Sequence, residues 1–458
     1  MRARALSLAA LVGMGRKTVT NLLVTAGLQF EDCSAAYRLF SKGRFDPDGL
    51  FAHIAEQVHQ QLPADAPFVA AIDDTLARKT GRKIHGTAYR RDPLGPKFHT
   101  NFIWAQRFVQ LTAALPHGPG TGGVRTIPID FQHAPTPRKP KKNASPEEWK
   151  TYDAQRKKTN LCLLAARRIQ HLRELLDKFV DGSKRMLWVQ GDGGYTNETI
   201  LKHLPARTIY TGRIREDARL YHLPRPEGQQ GKGRNRVYGA TAPTPEQVRK
   251  DENIPWQHVL VFAAGKLHAM RVKTLAPLRS KMTGKQHPLR LIVIEPLGYR
   301  LRKNSKILYR KPAYLLCTDT TRSLQEIVQV YVWRWEIEVN HRDEKNILGL
   351  GQAQVRGPLA TALVPAFLVA SYAMALLAAH HVIQNQGASQ TLPKPSWQKH
   401  RKQARPSLQQ IIQCVRAELW AHALGVDDFT RFETGHQRGT NAMKFKPEVA
   451  DAVLYACN

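Results

Sequence analysis

The chain has 458 residues, with 69 Lys and Arg against 37 Asp and Glu, for a formal net charge of +32. Hydrophobic residues make up 42% of it, enough to build cores and to exclude a wholly disordered chain, and the length suits about two to four domains. Such a charge repels itself unless a polyanion neutralises it, which makes nucleic acid the expected partner.

The cysteines (Cys33, Cys162, Cys317, Cys414, Cys457) lie far apart, and the histidines show no ligand spacing. Reduced thiols are expected, and no zinc site. Residues 1–17, MRARALSLAALVGMGRK, imitate a signal peptide, but Gly13 and Gly15 break the apolar run and more basic residues follow, so secretion is not expected.

Residues 1–65 read as helical. After LSLAALVGM and a Gly13-Met14-Gly15 turn, RKTVTNLLVTAG places Val19, Leu22 and Leu23 at helical spacing. This has the shape of a helix-turn-helix, whose second helix would start at Lys17-Thr18 and present Arg16, Lys17, Thr20 and Asn21 to phosphates and base edges. A plain helical hairpin fits equally.

From Pro67 the runs PFVAAIDDT, NFIWAQRFVQLTAAL and VRTIPIDFQ predict three consecutive strands. Ser145 followed by Pro146-Glu147-Glu148 then starts a long basic helix. RMLWVQGDGGYTN predicts a fourth strand ending in a turn, ETILKHL a short helix, and ARTIYTGRI a fifth strand. This order belongs to mixed α/β domains.

Residues 214–310 hold Gly- and Lys/Arg-rich loops and candidate strands such as HVLVFAAGKLHAMRVKT and LRLIVIEPL, a β-rich insertion. AYLLCTDT returns to strand character. SLQEIVQVYVWRWEIEVNHRDEKNILGLG predicts one long helix capped by Ser323. Residues 357–458 read as helical and basic, and the apolar stretch 363–383, with its Ser, Tyr and two His, as a buried core helix in place of a membrane span.

Three acidic sites stand out in so basic a chain. Asp73 and Asp74 close the strand FVAAI, Asp192 closes MLWVQG ahead of two glycines, and Glu338 sits in the late helix. Carboxylates brought together repel, so they imply a divalent ion, and hard oxygen ligands favour Mg²⁺ or Mn²⁺. The matching chemistry is two-metal phosphodiester transfer, with the ions about 3.5–4 Å apart. Taken singly, Asp-Asp-Thr is a turn, Asp-Gly-Gly a loop signal, and Glu338 a partner for Arg342 at i+4. Together, Tyr331, Arg334 or Trp335, Glu338, Arg342 and Lys345 recur at spacings of three or four and form one stripe. Glu336 and Glu344 lie off it.

The pattern Tyr331-x-x-Arg334-x-x-x-Glu338-x-x-x-x-x-x-Lys345 resembles the Tyr-Arg-Glu-Lys signature of bacterial insertion-sequence transposases of the DDE type, the cut-and-paste branch. The IDDT and GDGGYTN strand ends and the β-rich insert before the Glu are similar too, and the likeness runs from Phe68 to Arg356. It implies a ribonuclease-H-like mixed-sheet core at 66–213 and 311–356, interrupted by the insertion and flanked by helical regions. It also implies two Mg²⁺ ions on an Asp, Asp192 and Glu338. The first Asp is Asp73 if the acid directly follows the apolar run, or Asp74 by the acid-Asp-Thr variant; neighbouring strand residues face opposite sides, so only one joins the site, and Asp73 is preferred.

The resemblance further implies that Tyr331, Arg334 and Lys345 contact the DNA backbone. Trp335 either stacks on an extruded base or belongs to the core. A homodimer on synapsed transposon ends, target DNA as second substrate, and a bacterial cytoplasmic, nucleoid-associated location without membrane contact complete the expectation. Two alternatives remain: a metal-dependent nuclease that only hydrolyses, and a DNA-binding regulator or domesticated relic without catalysis. In each case binding weakens with salt as Lys and Arg contacts release counterions.

Overall fold

The computed structural model describes residues 2–96, 98–117, 122–224, 236–284, 287–302, 304–386, 392–398, 405–426, 429 and 448–457. The chain opens with helices Arg2–Val12 (α1), Val19–Thr25 (α2), Ser34–Ser41 (α3) and Pro47–Gln61 (α4). Thr18 caps α2 by accepting the Asn21 amide, and Asp46 caps α4 with Pro47 in its first turn. Leu6, Leu22, Leu23 and Phe40 form a small apolar cluster.

The sheet begins with Phe68–Arg78 (β1), Ala88–Arg91 (β2), Phe102–Pro116 (β3) and Val124–His133 (β4). The alternating run before Asp73 sends Phe68, Ala70 and Ile72 into one core and Val69 into another on the opposite face. The expected basic helix is two, Pro146–Lys158 (α5) and Leu161–Lys178 (α6). They part because Asn160 accepts the amides of Cys162 and Leu163 and so starts a new helix; α5 buries nothing, whereas α6 packs Ile169, Leu172 and Leu176 into the core. Leu187–Gly191 (β5), Glu198–Leu201 (α7) and Thr208–Arg213 (β6) follow as expected.

The strand order β4-β3-β1-β5-β6 has antiparallel pairing up to β1 and parallel pairing from β1 through β5 to β6. With helices on both faces, this is the mixed sheet expected of a ribonuclease-H-like core. Strand β2 was not foreseen; it pairs with the first residues of β3, beyond the end of β4.

In the insertion lie Tyr221–His222 (β7), Pro245–Lys250 (α8), Gln257–Ala263 (β8), Lys266–Arg279 (β9), Leu289–Ile294 (β10), Gly298–Tyr299 (β11) and Leu308–Tyr309 (β12). It does not stand apart. Ala313–Cys317 (β13) pairs antiparallel with β6, β10 with β13, and β9 with β10, so one sheet runs through core and insertion. The pairing covers the edge β6 would otherwise leave open.

The expected single helix after Ser323 is also two, Leu324–Trp333 (α9) and Glu336–Asn346 (α10), with Ser323 forming a full capping box on α9. Helix Pro358–Gln386 (α11) is long and apolar enough to cross a membrane, but Val369, Ala370 and Ala373 enter the sheet core and Val364, Phe367 and Leu368 the N-terminal cluster. It is the core helix joining the two. Leu408–Trp420 (α12) and Val449–Leu454 (α13) complete the described chain.

Candidate active site

The register of β1 against β5 pairs Ile72 with Gly191, so Asp73 and Asp192 stand abreast where that parallel pairing ends. Asp73 and Asp74 do not close β1 as the sequence suggested, because β1 stays paired with β3 as far as Arg78. Gly191 faces Gly212 across the β5–β6 pair, and a Cβ on Gly191 would stand 2.0 Å from the Tyr210 hydroxyl. Only glycine lets the strand end this close to its neighbour. The Asp192 turn is then fixed locally: its Oδ1 accepts the amides of Gly194 at 2.8 Å and Tyr195 at 3.1 Å, while its carbonyl accepts the Thr196 hydroxyl at 2.8 Å.

Side-chain parity separates Asp73 from Asp74. Ile72 points into the core beneath α6 and α7, so Asp74 shares that side and Asp73 takes the other, with Val69 and helix α9. Asp74 is already engaged: its carboxylate accepts the Tyr195 hydroxyl at 2.9 Å and pairs with Arg107 at 3.1 Å. Asp73 has the Asp74 amide at 2.8 Å and Arg334 at 3.7 Å. Burial, and after it the Asp192 charge, push Asp73 up to about 7, as for a carboxylate desolvated beside a like charge.

The third acid arrives on α10. Between α9 and α10 the chain tightens into three-residue hydrogen bonds, Arg334 N to Tyr331 O, Trp335 N to Val332 O and Glu338 N to Trp335 O. The tight turn directs Arg334 to the acids, where it bridges Glu338 at 3.1 Å and Asp73 at 3.7 Å, and leaves Trp335 60% exposed. Trp335 is therefore not core. Lys345 lies close enough to Asp73 and Asp74 for their charges to oppose the burial that lowers its pKa. Tyr331 is held up chiefly by burial and pulled down by Arg334 and Arg213.

Asp73, Asp192, Glu338, Arg334, Tyr331 and Lys345 thus gather at the carboxyl end of β5, beside the middle of β1. Arg342 does not join them: it pairs with Asp343 at 2.9 Å, and Glu338 takes Arg334 as its i+4 partner. Of the N-terminal candidates, Arg16 is exposed. Thr20 shares a hydrogen bond with Tyr37, and Asn21 donates to the Met14 carbonyl. The expectation for Lys17 is corrected: it is buried, its ammonium bonded to the Gly13 carbonyl and its backbone amide to Gln352, so it holds the hairpin together and offers no charge to a partner.

Several functional neighbours were not read from the sequence. Tyr195 and Arg107 hold Asp74, and only the closeness of Tyr195 to Asp192 could have flagged one of them. Glu344, off the stripe, is fully buried with Gln110 at 2.8 Å, and burial pushes it up to about 8. Thr75 Oγ1 and both polar atoms of the Gln190 side chain are buried without a protein partner. They flank Asp73 and Asp192 on the same face.

Among the described residues, no three acidic, His or Cys side chains converge closely enough to share an ion, since Glu338 is turned to Arg334. The donor set nevertheless fits a divalent cation. It is all hard oxygen, it carries the repulsion seen at Asp73, and it is edged by unsatisfied polar groups.

The sequence matches the family model of the DDE superfamily endonucleases over residues 1–270. The chain belongs to this family. A comparison with curated proteins gives no match. The matched span carries Asp73 and Asp192 and ends before Glu338. DDE endonucleases cut DNA with the help of divalent metal ions, so DNA is the substrate class of this chain and its chemistry is phosphodiester cleavage.

Proposed function

We propose that this DDE endonuclease is a cut-and-paste transposase that binds transposon terminal inverted repeats, nicks to expose a 3′-hydroxyl and joins it to target DNA. The supporting observation is the pair of neighbouring carboxylates, Asp73 and Asp192, faced by helices α9 and α10 and the turn between them, which together bear Tyr331, Arg334, Glu338 and Lys345 at the signature spacing.

Asp73, Asp192 and Glu338 would hold Mg²⁺, two ions per site, with Mn²⁺ as substitute. Bound there, the ions supply activation of the attacking water or 3′-hydroxyl and stabilisation of the leaving oxygen. The chain's own residues do the rest. Arg334, which pairs with Asp73 and Glu338, would offer its planar fork to the scissile phosphate. Tyr331 and Lys345 bind the adjoining backbone, and Arg342 adds charge further along the helix. Trp335, already exposed, stacks on an unpaired base. Asp74, clamped by Tyr195 and Arg107, is a positioning residue that fixes the end of β1 against the Asp192 turn. Arg16, Thr20 and Asn21 contribute a further DNA contact. The protein acts as a homodimer on synapsed ends, in the bacterial cytoplasm at the nucleoid.

The test uses supercoiled plasmid carrying the DNA that flanks this gene on both sides, incubated with Mg²⁺ and wild-type or Glu338→Ala protein. Discrete cutting and end joining by wild type alone is the expected result. Cutting without joining would replace the transposase by a hydrolytic nuclease.

A further inference from the structure

A cleft of about 740 Å³ lies beside the carboxylates, between the Asp192 turn and the inserted segment. Gly193 and Thr196 of that turn form one wall, and residues 280–282 and 311–312 another. Arg213 stands at the junction: it ends β6, lines the cleft, and its charge acts on Tyr331. The cleft therefore borders the Asp192 turn, next to the carboxylates.

Its lining is strongly basic. Arg213, Arg215, Arg219, Lys281 and Lys311 line it against one acid, Glu216. Arg215 is paired with Asp217 at 3.0 Å. Among the described residues, Arg213, Arg219, Lys281 and Lys311 have no ion-pair partner, although they are exposed and share one hollow. Converging unpaired cations repel, and a polyanion relieves them. Tyr221 adds an aromatic wall, with Lys281 Nζ 6.0 Å from its ring centre and Tyr238 tilted against it at 5.2 Å. A cationic groove with an aromatic platform is how proteins hold an unstacked base and its phosphate.

We propose that this cleft binds a few nucleotides of one unpaired DNA strand as it leaves the cutting site. The volume is that of a small-ligand pocket, roughly 300–1,000 Å³, which suits a short stretch of one strand better than a duplex. Arg213 and Arg219 take phosphates beside β6, Lys281 and Lys311 take those on the facing wall, and Tyr221 stacks on a base. The direction of the strand rests on the reading of Asp73, Asp192 and Glu338 as the cutting site; the binding itself does not.

The experiment measures fluorescence anisotropy of a labelled oligothymidylate of about 12 nucleotides with the full chain, wild type against Arg219→Ala/Lys281→Ala/Lys311→Ala. A duplex of the same length and a thermal melt serve as controls. The expected result is single-strand affinity reduced at least about tenfold, with the log–log salt slope shallower by about 2 for three lost phosphate contacts, and duplex binding kept. Tyr221→Ala should weaken single-strand binding and leave that slope unchanged. Unchanged single-strand affinity in the triple variant, or equal loss on duplex and single strand, overturns the proposal. Wild-type plasmid cleavage separates the two readings: cutting with an indifferent triple variant rejects the cleft and keeps the cutting site. A chain that cuts nothing but loses single-strand affinity in the variant rejects the cutting site and keeps the cleft.

Discussion

At the residue scale, burial decides what each acid does. Glu344 is fully buried and pushed up to about 8 from a usual 4.5. Between these values the unfolded chain has released a proton that the folded chain keeps, so this residue's contribution to stability falls as pH rises from about 4.5 to about 8. Glu344→Gln keeps an acceptor for Gln110 and removes the titration. Thermal melts should show it equal to wild type at the acid end of that window and more stable at the basic end; a parallel shift at both ends would contradict the assignment. Trp335 makes the opposite case. Because it is 60% exposed, Trp335→Ala should change stability by no more than about 0.5 kcal/mol, measured by urea denaturation, so any loss of DNA cleavage by that variant reports on contact with DNA. The sequence carried Asp192, Glu338 and the Tyr-Arg-Glu-Lys spacing in plain view, because they lie close along the chain or at fixed helical intervals. It did not carry Arg107, which the antiparallel pairing of β1 with β3 brings beside Asp74.

At the element scale, the strands around the acids were legible because apolar runs bounded by Gly and polar residues give both extent and facing. Two long helices were misread as continuous. Asn160 stops one by capping the next, and the other tightens at Arg334-Trp335 for a reason the side-chain spacing alone does not reveal. Across that turn Arg334 keeps its i+4 partner Glu338 and also reaches Asp73, while Trp335 stays outward. Helix α10 is also fastened from behind. Arg405 pairs with Glu336 on α10 and donates to the Val124 carbonyl of β4 at 2.5 Å, and Arg125 donates to the Pro406 carbonyl at 2.6 Å. Arg405→Ala should cost about 1.5–3 kcal/mol, the range for hydrogen bonds to charged groups, in denaturant titration, and should lower cleavage with Glu338 itself intact. A variant as stable and as active as wild type would show that the C-terminal segment does not hold α10.

At the scale of the whole molecule, a chain with a net charge of +32 carries one small acidic centre at the carboxyl end of β5, beside the middle of β1. Composition disclosed the polyanion partner, and the order of strands disclosed the mixed sheet. That the insertion continues the core sheet through β13, β10 and β9 was not legible, because such pairing depends on which open edge the chain returns to and leaves no local mark. The central claim is that Asp73, and not Asp74, joins Asp192 and Glu338 in a cation-dependent cutting site. The most direct measurement compares plasmid cleavage in Mg²⁺ by wild type, Asp73→Asn and Asp74→Asn, each checked for folding by thermal melt. The account predicts background cleavage for Asp73→Asn and a loss of only about 10–100-fold for Asp74→Asn, as for a group that orients a metal site without entering it. Background cleavage by Asp74→Asn together with near-normal cutting by Asp73→Asn would contradict it.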